Sequence, residues 1–133
     1  MHIVIGGAFN GKKTYVKQRI KSTWFDGELP VAHQTGNVVI TNLEKIVAKN
    51  LQREEQQVAL EIAEQLMELD KQCAQLILIV TDISRGIVPV DPLERQLRDT
   101  CGRLYQVLFK EAATITRVWY GIAETIKKGD GWQ

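Results

Sequence analysis

Residues 1–14 read Met1-His2-Ile3-Val4-Ile5-Gly6-Gly7-Ala8-Phe9-Asn10-Gly11-Lys12-Lys13-Thr14 and predict a strand, a glycine loop and a helix start. The β-branched run ends at the paired glycines, and an amphipathic helical pattern begins directly after Gly11-Lys12. This order is the context that a phosphate-binding loop requires. Glycines let successive backbone N–H groups point inward, while the helix dipole and the lysine attract phosphate oxygens. The sequence therefore predicts a nucleotide-phosphate site formed by Gly6 to Thr14.

The loop departs from the full motif at one position. A serine or threonine is expected directly after the lysine, where its hydroxyl binds Mg²⁺. Lys13 stands there, and Thr14 comes one residue later. A shift of one residue turns a side chain about 100° around the helix axis, so Thr14 does not simply replace the missing hydroxyl. The alternative is a tight strand-to-helix turn without a ligand, but the strand and helix contexts favour a phosphate site.

The composition limits the classes of protein to which the chain can belong. A chain of 133 residues with 44% hydrophobic and 25% charged residues is typical of one globular domain. The net charge of +1 indicates neither nucleic-acid nor anionic-membrane binding. The two cysteines lack metal-type spacing, and we find no membrane-span or signal-like segment. We expect a cytoplasmic protein with one nucleotide-binding domain over residues 1–128 and a frayed tail over residues 129–133.

The segment that follows the glycine loop has two parts before the next strand. Residues 12–22 show helical periodicity. Residues 24–36 contain turn-forming residues and no clear period, so they predict an irregular surface segment in which only residues 29–32 resemble a short strand. Residues 38–40 form a compact apolar run, which is typical of a buried parallel strand.

Helical and strand patterns alternate through the rest of the chain. Asn42 is a suitable N-cap for the next helical pattern, and the polar residues 52–57 either separate two helices or form the solvated middle of one. Residues 76–80 are the clearest buried strand. Residues 116–120 predict a last strand, and residues 124–127 a short edge strand.

A further helix is predicted to begin at Asp91-Pro92-Leu93-Glu94, which supplies an N-cap, a proline at N1 and a glutamate at N3. Its apolar face consists of Leu93, Leu97, Cys101, Leu104 and Leu108. Its polar stripe consists of Arg95, Arg98, Asp99, Gly102 and Gln106. A glycine inside a helix costs about 1 kcal/mol relative to alanine, so a ligand or another backbone is expected to approach Gly102 closely. The alternative is a solvated face with a weak Arg95–Asp99 pair.

Strands that alternate with helices predict right-handed crossovers and a three-layer, mostly parallel α/β sheet. Ligands of such sheets bind beyond the carboxyl ends of the strands. The glycine loop, Thr41-Asn42 and Asp82-Ile83-Ser84-Arg85 all follow strand patterns. We therefore expect these three segments to converge on one site.

The C-terminal half carries motifs of a known family. Gly86-Ile87-Val88-Pro89, followed by the polar stripe with its Arg-x-x-Arg-Asp-x-x-Gly spacing and Gln106, resembles adenosylcobinamide kinase / adenosylcobinamide-phosphate guanylyltransferase. That family has N-E-x-G-x-G-I-V-P and then R-x-F-R-D-x-x-G-x-x-N-Q. Its G-G-x-R-S-G-K-S loop is similar to residues 6–13, and its ending G-I-x-x-x-x-K is similar to residues 121–127. The resemblance covers the first twenty residues and the chain from about Val38 onward.

Several family positions differ in this chain. The loop arginine and serines are replaced by Phe9, Asn10 and Lys13, and the acidic residue after the second strand is Thr41. The N-E-x-G segment becomes Asp82-Ile83-Ser84-Arg85. The chain is also shorter before Val38, where the family has the histidine that accepts GMP. His33 is the candidate for that role, and an exposed bystander is the alternative.

The resemblance implies a P-loop NTPase-like, RecA-like fold and two reactions of cobalamin synthesis or salvage. ATP or GTP phosphorylates the aminopropanol hydroxyl of adenosylcobinamide, and GMP then passes from GTP through a histidine to that phosphate. Phosphoryl transfer depends on positioning and on charge neutralisation by lysine, backbone and Mg²⁺. Lys12, Asp82 and His33 are the candidate catalytic residues, and Asp82 and Thr14 are the candidate Mg²⁺ ligands. Supporting or interface roles fall to Arg85, Arg95, Arg98, Asp99, Gly102 and Gln106.

Two alternatives accompany this interpretation. Lys13 and Thr41 favour a catalytically reduced homologue with a binding, regulatory or structural role, whereas the retained Gly6, Gly11 and Lys12 favour an enzyme. A small-molecule kinase with another acceptor is the third hypothesis. By resemblance, the partners are nucleotide, adenosylcobinamide and further copies of the chain in a trimer.

Overall fold

The computed structural model describes residues 1–7, 11–82 and 91–129. Six strands and four helices lie in these ranges. They are β1 (His2–Gly6), α1 (Lys12–Arg19), β2 (Thr23–Asp26), β3 (Asn37–Thr41), α2 (Leu43–Ala48), α3 (Glu55–Gln72), β4 (Gln75–Thr81), α4 (Pro92–Glu111), β5 (Thr114–Trp119) and β6 (Ile122–Lys127).

One sheet contains all six strands in the order β2-β3-β4-β1-β5-β6. The first five strands in this order pair in parallel, and β6 pairs antiparallel with β5. Two apolar clusters lie on the two faces. The larger one joins alternate strand residues to α2, α3 and α4, and the smaller one joins the others to α1. The predicted three-layer, mostly parallel α/β architecture is confirmed.

The strand interiors follow from the apolar runs of the sequence. Residues 38–40 and 76–80 are buried on both faces of the sheet, as expected for central parallel strands. The polar stretch before α3 separates two helices, and the Glu54 carboxylate caps α3 by accepting from the Gln56 and Gln57 amides. Asp91 caps α4 through the Leu93 amide, as predicted.

The first correction concerns residues 23–32. Thr23–Asp26 form an edge strand beside β3, whereas residues 29–32 are not a strand. The sequence pattern missed β2 because an edge strand pairs on one side only, and its four side chains are half-buried or exposed. The first helix also ends earlier than predicted, at Arg19.

Two side-chain predictions were also wrong. Leu93 is 62% exposed, because it lies in the first turn of α4, before the buried residues of that helix begin at Thr100. Asn42 occupies the N-cap position of α2 but makes no side-chain cap, and its backbone is left-handed with φ 56°. Its amide group donates to the Asp26 carboxylate instead.

Candidate functional site

The glycine loop begins between two strands that hold it closely. The Asp82 amide donates to the Gly6 carbonyl oxygen at 2.8 Å, which ties the end of β4 to the end of β1. On the other side, a Cβ at Gly6 would overlap the carbonyl oxygen of Val118 in β5. Glycine is therefore required at this position for steric reasons, and the start of the loop is rigidly placed.

Lys12 lies at the far end of the loop with its side chain turned inward. Gly11 precedes it in a left-handed conformation, φ 87°, which glycine adopts without strain. The Lys12 side chain is buried, and its Nζ donates to the carbonyl oxygens of Gly7 at 2.5 Å and Gly6 at 3.2 Å. Over the described residues, no carboxylate lies within ion-pair distance of this Nζ. The loop therefore contains a buried cation whose present partners are neutral carbonyls.

Burial lowers the pKa of Lys12, because the charged form loses hydration there. The Glu44 carboxylate, in the first turn of α2, acts in the opposite direction, and Lys13 lowers the pKa slightly further. Sequence reasoning missed Glu44. The signal was present, since an acidic residue three positions after Thr41 must lie at the start of the helix that follows β3.

The remaining loop residues divide into two groups. Lys13 and Thr14 are exposed on α1. Ala8, Phe9, Asn10 and Arg85 lie outside the described residues, as do the family-like residues 86–89 and residues 130–133 of the predicted tail.

A second cluster lies at the carboxyl ends of β2 and β3. Thr41 Oγ1 donates to Asp26 Oδ1 at 3.1 Å, and Lys45 Nζ lies 3.8 Å from Asp26 Oδ2. The hydrogen bonds from Asn42 and Thr41 lower the pKa of the Asp26 carboxyl group. Sequence reasoning missed Asp26 because β2 itself was missed. The structure places a carboxylate beside Thr41, the position at which the resembling family has an acidic residue.

A cavity of about 780 Å³ lies between the carboxyl ends of β1 and β4 and helix α4. Asp82 lines it from the sheet, and four of the five predicted stripe residues line it from α4: Arg98, Asp99, Gly102 and Gln106. Arg95 is exposed and does not line it. A Cβ at Gly102 would meet nothing within 4 Å, so no described backbone approaches this glycine. The Arg103–Glu55 ion pair, at 3.2 Å, bridges α4 to α3 at the cavity wall.

The two histidines of the chain lie at the other end of the parallel strands, where these strands begin. His33 is exposed and lines a separate cavity against the C-terminal half of α3, the half that leads into the start of β4. His2 is buried at the start of β1, where its ring bonds to Thr114 Oγ1 at 2.8 Å and Gln75 Oε1 at 2.7 Å. The structure therefore brings Lys12 and Asp82 together at the carboxyl ends of the parallel strands. It places both imidazoles at the opposite, amino ends of these strands.

Two further observations concern metal sites and membrane-spanning helices among the described residues. No group of three or more histidine, cysteine, aspartate or glutamate residues among them is close enough to hold a metal ion. Within the same residues, no helix combines the length and apolar character needed to cross a membrane.

Comparison with known proteins supports the motif-based interpretation. A family model described as cobinamide kinase / cobinamide phosphate guanyltransferase matches residues 25–126 of the 133. The matched stretch begins after α1, so it includes Asp82 and α4 but not the glycine loop. No curated protein matches the chain. Because the family model covers well over half of the chain, the protein belongs to the cobinamide kinase / cobinamide phosphate guanyltransferase family, the nucleotide-using kinases and guanylyltransferases of cobalamin synthesis.

Proposed function

We propose that this protein binds ATP or GTP in the loop of residues 6–14 and transfers the terminal phosphoryl group to the hydroxyl of a cobinamide substrate. The observation that supports the proposal is the buried position of the Lys12 ammonium group and its bonding to loop carbonyls. Among the described residues, this buried ammonium group bonds to the neutral Gly6 and Gly7 carbonyl oxygens, which it can exchange for phosphate oxygens. Such an exchange replaces neutral acceptors by charged ones, which bind an ammonium group more strongly.

The chemistry asked of the protein is positioning and charge neutralisation. A transferring phosphoryl group spreads negative charge over its oxygens, and a preorganised cation beside it lowers the barrier. The left-handed Gly11 lies at the start of α1, so the amides of the first helical turn point toward the loop. Lys12 and these amides would together hold the outer phosphates.

A Mg²⁺ ion could be held at this site by a small number of protein ligands. Mg²⁺ in such enzymes keeps several waters and binds one or two carboxylates plus phosphate oxygens. Asp82 is the half-buried carboxylate at the end of β4, and its backbone is bonded to Gly6. Asp82 would hold the ion, which would neutralise phosphate charge. Thr14, exposed on α1, and Thr41, bonded to Asp26, are less suited to this role.

The acceptor is assigned to the 780 Å³ cavity. Asp82 borders this cavity and also the smaller one beside Gly6 and Gly7, so the two spaces meet at the proposed metal ligand. Arg98 and Asp99 provide polar groups on the α4 wall, while Ile5, Val80 and Phe109 provide apolar surface. A large amphipathic acceptor would contact both kinds of surface.

The proposal includes the kinase reaction and assigns no role to His33. Guanylyl transfer through a histidine requires an imidazole within reach of the nucleotide, and both histidines lie at the other sheet edge. Incubation with GTP labelled at the α-phosphate tests this assignment. Protein-bound label that is lost in His33→Ala would show that the second reaction operates here as well.

One observation favours a catalytically reduced homologue as the second candidate. The position of the family's acidic residue is Thr41, and its hydroxyl is already bonded to Asp26. Under this alternative the protein would bind nucleotide without turnover. Assembly as a homo-oligomer, a trimer by resemblance, belongs to both candidates and is checked by light scattering of the purified chain.

Calorimetric titration with ATP and GTP, with and without Mg²⁺, tests the proposal first. Wild type should bind a nucleotide more tightly with Mg²⁺, and Lys12→Ala should abolish binding. Lys17→Ala, an exposed lysine further along α1, is the matched control and should bind normally. Binding followed by phosphorylation of adenosylcobinamide identifies the kinase, binding without turnover identifies the reduced homologue, and absence of binding contradicts both.

A further inference from the structure

Two large aromatic rings are exposed at the turn between β5 and β6. Trp119 is 58% exposed and Tyr120 is 75% exposed, although aromatic side chains usually bury most of their surface. Their ring centroids lie 5.4 Å apart with the planes inclined at 56°. The two rings therefore form one contiguous exposed aromatic surface, which we call the aromatic pair.

The turn that carries the aromatic pair is strained. Tyr120 has φ 48° and Gly121 has φ 79°, and Trp119 pairs with Ile122 across them. Two-residue hairpin turns of this kind favour asparagine or glycine at the first position, because the left-handed conformation is costly for a side chain such as tyrosine. A tyrosine at this position indicates a role beyond closing the hairpin.

The end of β5 and the turn that follows it lie against the two ends of the glycine loop. Gly6 packs on the Val118 carbonyl group, as described above. At the other end of the loop, a Cβ at Gly11 would lie 3.5 Å from the backbone nitrogen and Cα of Gly121. The aromatic pair is thus fixed in position relative to the proposed phosphate site by backbone packing.

Two small cavities connect these features. One, of about 330 Å³, is lined by Gly6, Gly7, Asp82, Arg117 and Trp119, among others. The other, of about 250 Å³, is lined by Arg117, Trp119, Ile122 and Glu124. Trp119 and Arg117 border both spaces, so the indole side chain lies beside the cavity that reaches the start of the glycine loop.

We propose that the aromatic pair is the stacking platform for the planar base of the nucleotide, with Trp119 as its principal ring. This inference rests on the proposed function, because it requires the phosphates to lie in the glycine loop. A nucleotide anchored there must place its base beside the loop, and the exposed indole ring of Trp119, at the end of β5, offers a planar surface at that place. Base–aromatic stacking needs no base-specific hydrogen bond, so it accommodates both ATP and GTP. Arg117 and Glu124, which face each other across β5 and β6, supply charged groups at the rim.

The test separates the base from the phosphates. ATP, GTP and inorganic tripolyphosphate are titrated calorimetrically into wild type, Trp119→Ala, Trp119→Phe and Ile126→Ala. Trp119→Ala should weaken ATP and GTP binding by about tenfold or more, as expected for loss of one stacked ring, and leave tripolyphosphate binding unchanged. Trp119→Phe should retain most of the nucleotide affinity. Ile126 is the matched control, since it is 56% exposed on the same hairpin and lines neither cavity.

Each other outcome overturns the proposal in a distinct way. Unchanged nucleotide affinity in Trp119→Ala, together with loss of binding in Lys12→Ala, removes the stacking platform and leaves the proposed function intact. Equal weakening of tripolyphosphate shows that the substitution disturbs the loop itself. A loss confined to adenosylcobinamide binding assigns the ring to the acceptor. Absence of nucleotide binding by wild type contradicts the platform and the proposed function together.

Discussion

Polar groups have opposite surroundings at the two ends of the parallel strands, which we call the amino edge, where these strands begin, and the carboxyl edge, where they end. At the amino edge, the N-terminal amine pairs with Asp70 at 2.9 Å, and the Ala113 amide donates to the Met1 carbonyl oxygen at 2.8 Å. Both ring nitrogens of His2 have partners there. At the carboxyl edge, the Lys12 bonds to described residues go to carbonyl oxygens, and Asp82 and the polar face of α4 border open cavities.

We propose that the polar groups at the amino edge serve stability and that those at the carboxyl edge serve ligand binding. A buried polar group with protein partners repays its desolvation, so the amino edge behaves as part of the core. A polar group that borders a cavity at the carboxyl ends of parallel strands is available to a ligand. Backbone strain follows the same division, since the non-glycine residues with left-handed backbone in the described ranges, Asn42 and Tyr120, both lie at the carboxyl edge. Substitutions at the two edges should therefore affect different measurements.

The largest effect is expected for Lys12→Ala. Loss of a preorganised cation at a phosphoryl-transfer site should reduce turnover about a hundredfold or more. The thermal midpoint should change little, because the Gly6 carbonyl oxygen keeps its hydrogen bond from the Asp82 amide once the lysine side chain is removed. Phosphorylation of adenosylcobinamide and thermal unfolding are measured on the same preparation. A variant that keeps activity but unfolds early would reverse the assignment of this edge.

Gly6→Ala should be destabilising at the carboxyl edge. Its Cβ overlaps a backbone oxygen of β5, and such overpacking typically costs about 1–3 kcal/mol of unfolding free energy. Gly36→Ala is the matched control near the amino edge, since a Cβ there meets nothing within 4 Å. Urea unfolding compares the two variants. Equal stability of both would show that the contact between β1 and β5 relaxes at little cost.

His2 should make the amino edge sensitive to pH. Burial lowers the pKa of His2 below its ordinary value of 6.5, so the unfolded chain takes up a proton before the folded one does. The unfolding free energy should therefore fall as the pH drops from 6.5 toward the folded pKa, by at most about 1.4 kcal/mol per pH unit. His2→Gln should abolish this slope in urea titrations between neutral and acidic pH. An unchanged slope would assign it to another group.

The smallest effect is expected for Asp26→Asn. Hydrogen bonds from Asn42 and Thr41 lower the pKa of Asp26, so its contribution to stability is present at neutral pH. This contribution is lost as the pH falls from the ordinary value of 3.8 through the folded pKa. Wild type should be slightly more stable than the variant at pH 7, and the two should converge in acid. Divergence in acid would contradict the sign of this shift.

The sequence predicted the buried parts of the fold well and the half-exposed parts poorly. Residues 38–40 and 76–80 were recognised because strands buried on both faces leave continuous apolar runs. The strand β2 was missed because its side chains lie at the sheet edge. The error had consequences for the site, since Asp26 at the end of β2 was not considered.

Local patterns in the sequence were enough to predict the α/β class, the glycine loop with Lys12, and the α4 motif that resembles the family. These features are local, because burial patterns, helical periodicity and backbone freedom depend on residues that are close together in the sequence. Folding of the whole chain brings Asp26 to Thr41, places His33 away from Lys12 and packs Gly121 on Gly11, and none of these contacts was predicted from the sequence. Such contacts depend on the order of strands in the sheet, which joins residues up to 112 positions apart and leaves no local pattern in the chain.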